Sequence, residues 1–125
     1  SPGGLYSYPS WLTMQATDYL RGDVAVKGGI TGCLKAAHLA EAFKMNYEIH
    51  HGGNSLNNVA NLHLTMAIHN CELFEVLLPA GAQKYGLVDE PAPDANGLVY
   101  AIEKPGLGAE IDFDLIEKNK VAVLS

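Results

Sequence analysis

The sequence predicts an α/β fold with parallel strands, and three observations carry that prediction. Helix-length and strand-length apolar patterns alternate through roughly the first two thirds of the chain. Glycine pairs, Gly28-Gly29 and Gly52-Gly53, follow two of the strand-like runs as turns. Asp23, His50 and Glu75 recur at nearly equal intervals, each interval long enough for one helix and its turns. In a parallel sheet or barrel such a period returns the chain to the same sheet end, so the three side chains are expected at the C-terminal ends of neighbouring strands.

Taken in order, Ser10 is placed to cap a helix from about Trp11 to Leu20, ended by Arg21-Gly22. Asp23-Val24-Ala25-Val26 reads as a short buried strand. A helix is expected from about Thr31 to Phe43, where Cys33, Ala36, Ala37, Ala40 and Phe43 form a narrow face of small residues suited to close packing on a sheet. Tyr47 to Ile49 leads as a strand to His50. Ser55 is the expected cap of a third helix reaching about His69, with Leu56, Val59, Ala60, His63, Met66 and Ala67 on its apolar face and Asn57, Asn58 and Asn61 elsewhere. Cys71 to Leu78 reads as the next strand, broken by Pro79. Residues 1–78 therefore form the regular βα part, and 79–125 a loop-rich segment with an edge strand at Gly97–Glu103, a short helix at Asp112–Lys118 and a last strand at Val121–Val123. The opening Ser1-Pro2-Gly3-Gly4 reads as a loop already in progress, which suggests a section of a longer protein.

At 125 residues, 48% hydrophobic and 18% charged, the chain has the composition of one globular domain. Its net charge of −6 and the absence of a Lys/Arg cluster argue against nucleic acid and anionic membrane surfaces as partners, and favour a small molecule. No apolar run approaches the roughly 20 residues needed to cross a bilayer. Cys33 and Cys71 are too few for a disulfide framework, so a reducing, cytoplasmic setting is expected.

A carboxylate that accepts the Nδ1 proton of His50 would fix the imidazole tautomer and leave Nε2 free to take or give a proton. The plainer alternatives are that Asp23 caps its own turn and that His50 is a polar residue at a strand end. Glu75, flanked by Leu73-Phe74 and Val76-Leu77-Leu78, is expected to be partly enclosed, with burial raising its pKa so that it donates a hydrogen bond to a developing oxyanion. His51 and Asn54, in the loop beside His50, are candidates for contacts with substrate hydroxyls. His63 reads as a core residue, His38 as a surface one, Cys33 as packing and Lys27 as solvated. No HExxH or CxxC spacing supports a metal site, and Gly28-Gly29-Ile30-Thr31-Gly32 lacks the spacing of a phosphate loop.

Asp23-Val-Ala-Val-Lys-Gly28-Gly29-Ile30-Thr31-Gly32, the helix after it, the Tyr47–His50 strand, Glu75, Pro105-Gly106-Leu107-Gly108 and Glu110-Ile111-Asp112 together resemble the C-terminal part of the enolase superfamily, in its mandelate racemase subgroup. The resemblance implies the last units of an enolase-type (β/α) TIM barrel with parallel strands. It matches Asp23 and His50 to the family's Asp–His dyad and Glu75 to the glutamate that hydrogen-bonds the substrate carboxylate. The related muconate-lactonizing subgroup carries a lysine where this chain has Asp23. The implied activity is α-proton abstraction from a carboxylate substrate, by an acid-sugar dehydratase or an α-hydroxyacid racemase or epimerase, in a homo-oligomeric enzyme. The implied cofactor is Mg²⁺; the family's three acidic ligands and Lys-x-Lys motif have no counterpart here, so the ligands are expected upstream and this chain alone is expected to be inactive. A non-catalytic α/β interaction module is the rival reading, and a Cys or Ser hydrolase a second, for which no nucleophile near His50 is evident.

Overall fold

The computed structural model describes residues 4–123, so most of the opening loop lies outside the described residues. A single 3-10 turn, Leu5–Ser7, runs into helix α1 (Tyr8–Thr13), and strand β1 (Leu20–Gly22) leads to helix α2 (Gly29–Ala42). Strand β2 (Tyr47–Ile49) leads to helix α3 (Ser55–Ala67), and a short helix α4 (Phe113–Asn119) lies near the end. The strands pair in parallel with Leu20 opposite Tyr47, Arg21 opposite Glu48 and Gly22 opposite Ile49. This is the βαβ unit expected of the sequence, carried on by α3.

Helices cover one face of the sheet. Leu12, Leu20, Val24, Cys33, Ala36, Ala37, Ala40, Tyr47, Ile49, Leu64 and Ile68 make a continuous core there. The small residues of α2 let that helix lie close to both strands. Tyr8 and Tyr47 meet edge to face with ring centroids 6.5 Å apart, a favoured aromatic geometry. A side chain at Gly22 would put its Cβ 1.9 Å from the Tyr47 hydroxyl, so the strand must carry glycine where the ring passes beneath it. Cys33 is buried packing and His38 is exposed, as expected.

Several element boundaries differ from the sequence reading. Helix α1 stops at Thr13 instead of reaching Leu20, because Gln15 takes a left-handed conformation (φ 50°) and Gln15 N–H and Ala16 N–H bond back to Leu12 and Trp11 carbonyls. That is a Schellman ending. Helix α2 ends the same way around Lys44 (φ 56°), with Lys44 N–H on Glu41 and Met45 N–H on Ala40. It also begins at Gly29, before the expected Thr31. The strand expected at Asp23–Val26 lies earlier, at Leu20–Gly22; from Asp23 the chain turns, its carbonyl accepting from Val26 and Lys27 N–H.

Asn54, not Ser55, caps α3 by accepting from Asn57 N–H at 3.0 Å, and the helix ends at Ala67, short of His69. Cys71–Leu78 is not a strand, since it has no ladder of its own. Tyr47 N–H bonds to Asn70 carbonyl, and Leu73 N–H is taken by the Glu48 carboxylate. Gly97–Glu103 and Val121–Val123 also form no strand, and an isolated antiparallel bridge, the only one among the described residues, joins Leu87 to Ile111. The short helix appears one residue late, capped by Asp112 accepting from Leu115 N–H. No described helix is long and apolar enough to cross a membrane.

Candidate active site

The register of the two strands sets the site. Gly22 and Ile49 are the last paired residues, so Asp23 and His50 leave the sheet side by side at its C-terminal end. His50 Nδ1 lies 3.3 Å from Asp23 Oδ2. The Asp23 side chain is 4% exposed and the His50 side chain 47% exposed, so a buried acid holds a ring that faces solvent.

Asp23 is a four-point junction. Its Oδ1 accepts from Ala25 N–H at 3.0 Å and Asn57 Nδ2 at 2.7 Å, while Oδ2 also accepts from Gly52 N–H at 3.3 Å. Burial opposes its ionisation, but the donors from Asn57, Ala25, His50 and Gly52 outweigh it and hold the pKa below the ordinary value. An ionised Asp23 accepts from the ring and selects the tautomer with hydrogen on Nδ1, leaving the Nε2 lone pair available.

Glu75 reaches the same rim from the extended segment after α3. Its Oε2 accepts from His51 N–H at 2.6 Å and from Arg21 Nη2 at 3.0 Å. It is partly enclosed, as the sequence suggested, but the expected upward pKa shift is not found. Burial pushes it up, while the His51 N–H and the Arg21 charge outweigh that and bring it below the ordinary value. Held this way the carboxylate accepts and does not donate.

The ring of His51 is buried, and desolvation brings its pKa below the ordinary value. What His51 brings to the site is its backbone N–H on Glu75. Asn54 is exposed in the loop, with its Oδ1 engaged in capping α3. His63 is not a core residue; its Nε2 pairs with the Leu107 carbonyl at 2.8 Å and tethers the Pro105–Gly108 loop. Lys27 is not simply solvated either, since its ammonium lies 5.7 Å from the Tyr8 ring centroid.

Three asparagines of α3, set aside in the sequence as residues off the apolar face, build the support of this site. Asn57 bonds Asp23, Asn58 Nδ2 donates to the Glu75 carbonyl at 3.3 Å, and the fully buried Asn61 joins both strand ends. Gly52 packs on the His50 ring so closely that a Cβ there would stand 2.7 Å from Cε1. The asparagine spacing, three to four residues at the helix start, was the available signal.

Among the described residues no group of three or more His, Cys, Asp or Glu side chains could hold a metal ion. Asp23 accepts at both of its oxygens and Glu75 accepts twice at Oε2, and no third acidic or imidazole ligand converges with them among the described residues, so these residues do not form a cradle for Mg²⁺.

An imidazole positioned by a buried carboxylate at the C-terminal ends of parallel strands is the kind of site that (β/α) barrels present. Residues 3–115 match the family described as enolase C-terminal domain-like, and the chain belongs to that family. It is 37% identical over 100 residues to a D-galactonate dehydratase family member, Pjdr2_1176, from Paenibacillus sp. (strain JDR-2), covering 78% of this chain and 24% of that protein. It is 31% identical over 102 residues to D-galactonate dehydratase from Xanthomonas oryzae pv. oryzae (strain PXO99A), covering 77% and 27%. Among solved structures it superposes on D-glucarate dehydratase from Agrobacterium tumefaciens complexed with magnesium, with TM-score 0.81 and 34% identity over 98% of this chain and 32% of that one. A mandelate racemase/muconate lactonizing enzyme candidate from Pseudovibrio sp. gives TM-score 0.89 and 32% identity over 94% and 32%. The chain thus spans about a quarter of the length of these curated relatives.

Proposed function

We propose that this chain is the rim-bearing segment of a sugar-acid dehydratase of the enolase superfamily, with His50 as its general acid/base and Asp23 as the residue that orients it. The observation that carries this reading is the 3.3 Å pairing of a buried Asp23 with a solvent-facing His50 at a common strand end. Proton transfer to or from a positioned imidazole contributes about 10² to 10⁴ in rate.

The step balances on one residue. His50 Nε2 takes the α-proton of the acid and the C–H electron pair moves into the carboxylate to give an enediolate; as the carboxylate re-forms, that pair makes the Cα–Cβ double bond and the β-hydroxide leaves. The imidazolium returns the same proton to that hydroxide as water. The resulting enol tautomerises to a keto acid, and His50 ends as it began. Racemisation would start with the same proton transfer; the dehydratase relatives favour elimination. Mg²⁺, expected to stabilise the enediolate, is assigned to residues outside this chain, and so is full activity.

The proposal extends to 1–78 as the catalytic part and 79–125 as a segment packed on it. Ser55 Oγ donating to Gln83 carbonyl and His63 pairing with Leu107 support that division. A cytoplasmic, homo-oligomeric enzyme is the setting proposed, in keeping with free Cys33 and Cys71. Fusing the upstream portion of the Paenibacillus relative to this chain tests the reading: the fusion should dehydrate a sugar acid, and His50→Asn should abolish it. A fusion whose turnover survives His50→Asn would refute the role of His50.

A further inference from the structure

Asp23 can orient His50 only if its own carboxylate is held. Of the four donors on that carboxylate, the His50 ring and the Gly52 N–H both stand at 3.3 Å, and both meet Oδ2. Ala25 N–H, at 3.0 Å, belongs to the turn that Asp23 itself begins, so it moves with Asp23 and cannot fix the carboxylate against the rest of the fold. The fourth donor is Asn57 Nδ2, at 2.7 Å from Oδ1 the shortest of the set and the one that comes from a helix. Hydrogen bonds to an ionised carboxylate are short and about twice as strong as neutral ones, so this contact carries the largest share of the restraint.

Asn57 is itself aimed. Asn54 Oδ1 accepts the Asn57 backbone N–H at 3.0 Å and fixes the first turn of α3. A Glu or Gln three residues after a cap reaches back to the N–H of the cap; the shorter asparagine here turns to Asp23 instead. Gly53 leaves room for it, since a Cβ there would stand 3.1 Å from Asn57 Nδ2. Gly52 seats the His50 ring in the same way, so adjacent glycines admit the two ends of one relay, Asn57–Asp23–His50. The relay uses a neutral donor. It restrains the carboxylate without cancelling the charge that holds the ring, as a lysine or arginine would. Glu75, paired with Arg21, and the His51 ring are the other titratable groups that act on or feel His50, and among the described residues none of them bonds the Asp23 carboxylate.

We propose that Asn57 is a positioning residue for the proton transfer: aimed by Asn54 and admitted by Gly53, it locks the Asp23 carboxylate with Oδ2 towards His50 Nδ1 and so keeps Nε2 as the reactive nitrogen. This deepens the reading of His50 as the general acid/base and rests on it. Without the lock the carboxylate turns about its Cβ–Cγ bond and loses Nδ1 for part of the time. The ring then samples the tautomer with hydrogen on Nε2, which has no lone pair there to take a proton.

The test uses the 125-residue chain with ¹⁵N-labelled histidine, because a ring nitrogen that bears hydrogen and one that holds a lone pair resonate far apart. At a pH where the rings are neutral, wild-type His50 should be mainly the Nδ1–H form. Asn57→Leu should move the tautomer ratio towards Nε2–H by about threefold or more, and Gly53→Ala, which crowds the carboxamide without removing it, should move it in the same direction by less. The exposed His38 on α2 is the internal reference and should not change. A merely structural Asn57 would lower the unfolding midpoint of Asn57→Leu and leave the ratio at its wild-type value, a result that overturns the proposal. If Asn57→Leu fails to fold, Gly53→Ala and the wild type decide. In the wild type the Asn57 carboxamide resonance should shift over the pH range in which His50 takes up its proton; a carboxamide blind to that titration, or a wild-type ratio in Gly53→Ala, overturns the proposal. An unchanged ratio beside a fusion that loses turnover with His50→Asn sinks the role of Asn57 alone. The expected change in ratio beside turnover that survives His50→Asn sinks the role of His50 and leaves Asn57 as what orients its ring.

Discussion

Asn61 is joined to His50 through the backbone: its Nδ2 donates to the His50 carbonyl at 3.1 Å while its Oδ1 accepts from Val24 N–H, also at 3.1 Å. One fully buried carboxamide on α3 therefore clasps the ends of both strands, and the dyad is positioned from beneath as well as through Asp23. Asn61→Leu removes both bonds and strands a donor and an acceptor, which should cost about 2–4 kcal/mol of folding stability. Asn61→Asp should cost more, since it places a buried charge where the His50 carbonyl needs a donor. Urea unfolding midpoints check this; a midpoint unchanged in Asn61→Leu would show that the clasp carries no stability.

Gly52→Ala separates positioning from folding. The added Cβ at 2.7 Å from His50 Cε1 must displace the ring from Asp23. In the fusion enzyme turnover should fall by up to about 10²-fold, as expected of a misplacement near 1 Å. Thermal stability should change little, because the ring can move into solvent. Wild-type turnover in Gly52→Ala would mean that contact with Asp23 does not govern His50.

Asp23 and Glu75 give stability a defined dependence on acid. Both have folded pKa values below their ordinary values of 3.8 and 4.5, so the folded state binds protons less readily than the unfolded chain. Their contribution is fully present above the ordinary values and is lost as pH falls through the lowered folded ones. Melting temperature should hold steady from neutrality to about pH 5 and then drop steeply. Asp23→Asn should flatten that drop while lowering the plateau; an unaltered acid limb would contradict the assignment.

Gly22→Ala forces a methyl group into the Tyr47 hydroxyl, at 1.9 Å. Overpacking of this kind costs about 1–3 kcal/mol, and Tyr47→Phe in the same chain should restore part of it. Chemical denaturation of the single and double variants measures the coupling. Strict additivity would show that the two residues do not share that space.

The convergence of Asp23 and His50 was legible because a parallel βα period and the register of side chains at strand ends follow from chain geometry alone. Helix ends were less so: α1 and α2 end at Thr13 and Ala42 ahead of Gln15 and Lys44, which adopt a glycine-like conformation without being glycine, and nothing in their composition marks it. Asn57, Asn58 and Asn61 were misplaced because a periodicity reading sorts residues by polarity. A buried asparagine is polar and still faces inward when its partners are strand-end backbone groups, and those partners exist only once the sheet is formed. Arg21 was hidden similarly, as an apparent helix-stop signal next to glycine. Glu75 was read as raised by burial because its two donors, one from β1 and one from the His50 loop, come from distant parts of the sequence. Cys71–Leu78 has strand composition, but a strand also needs a ladder, and here the Leu73 N–H is met by the Glu48 carboxylate and the Glu75 carbonyl by the Asn58 side chain.

The most direct measurement is release of deuterium into water from a sugar acid labelled at its α-carbon, turned over by the fusion enzyme in H₂O. Wild type should release the label, Asp23→Asn should slow release by about 10² or more, and His50→Asn should abolish it. Release continuing undiminished in His50→Asn would contradict the role of His50.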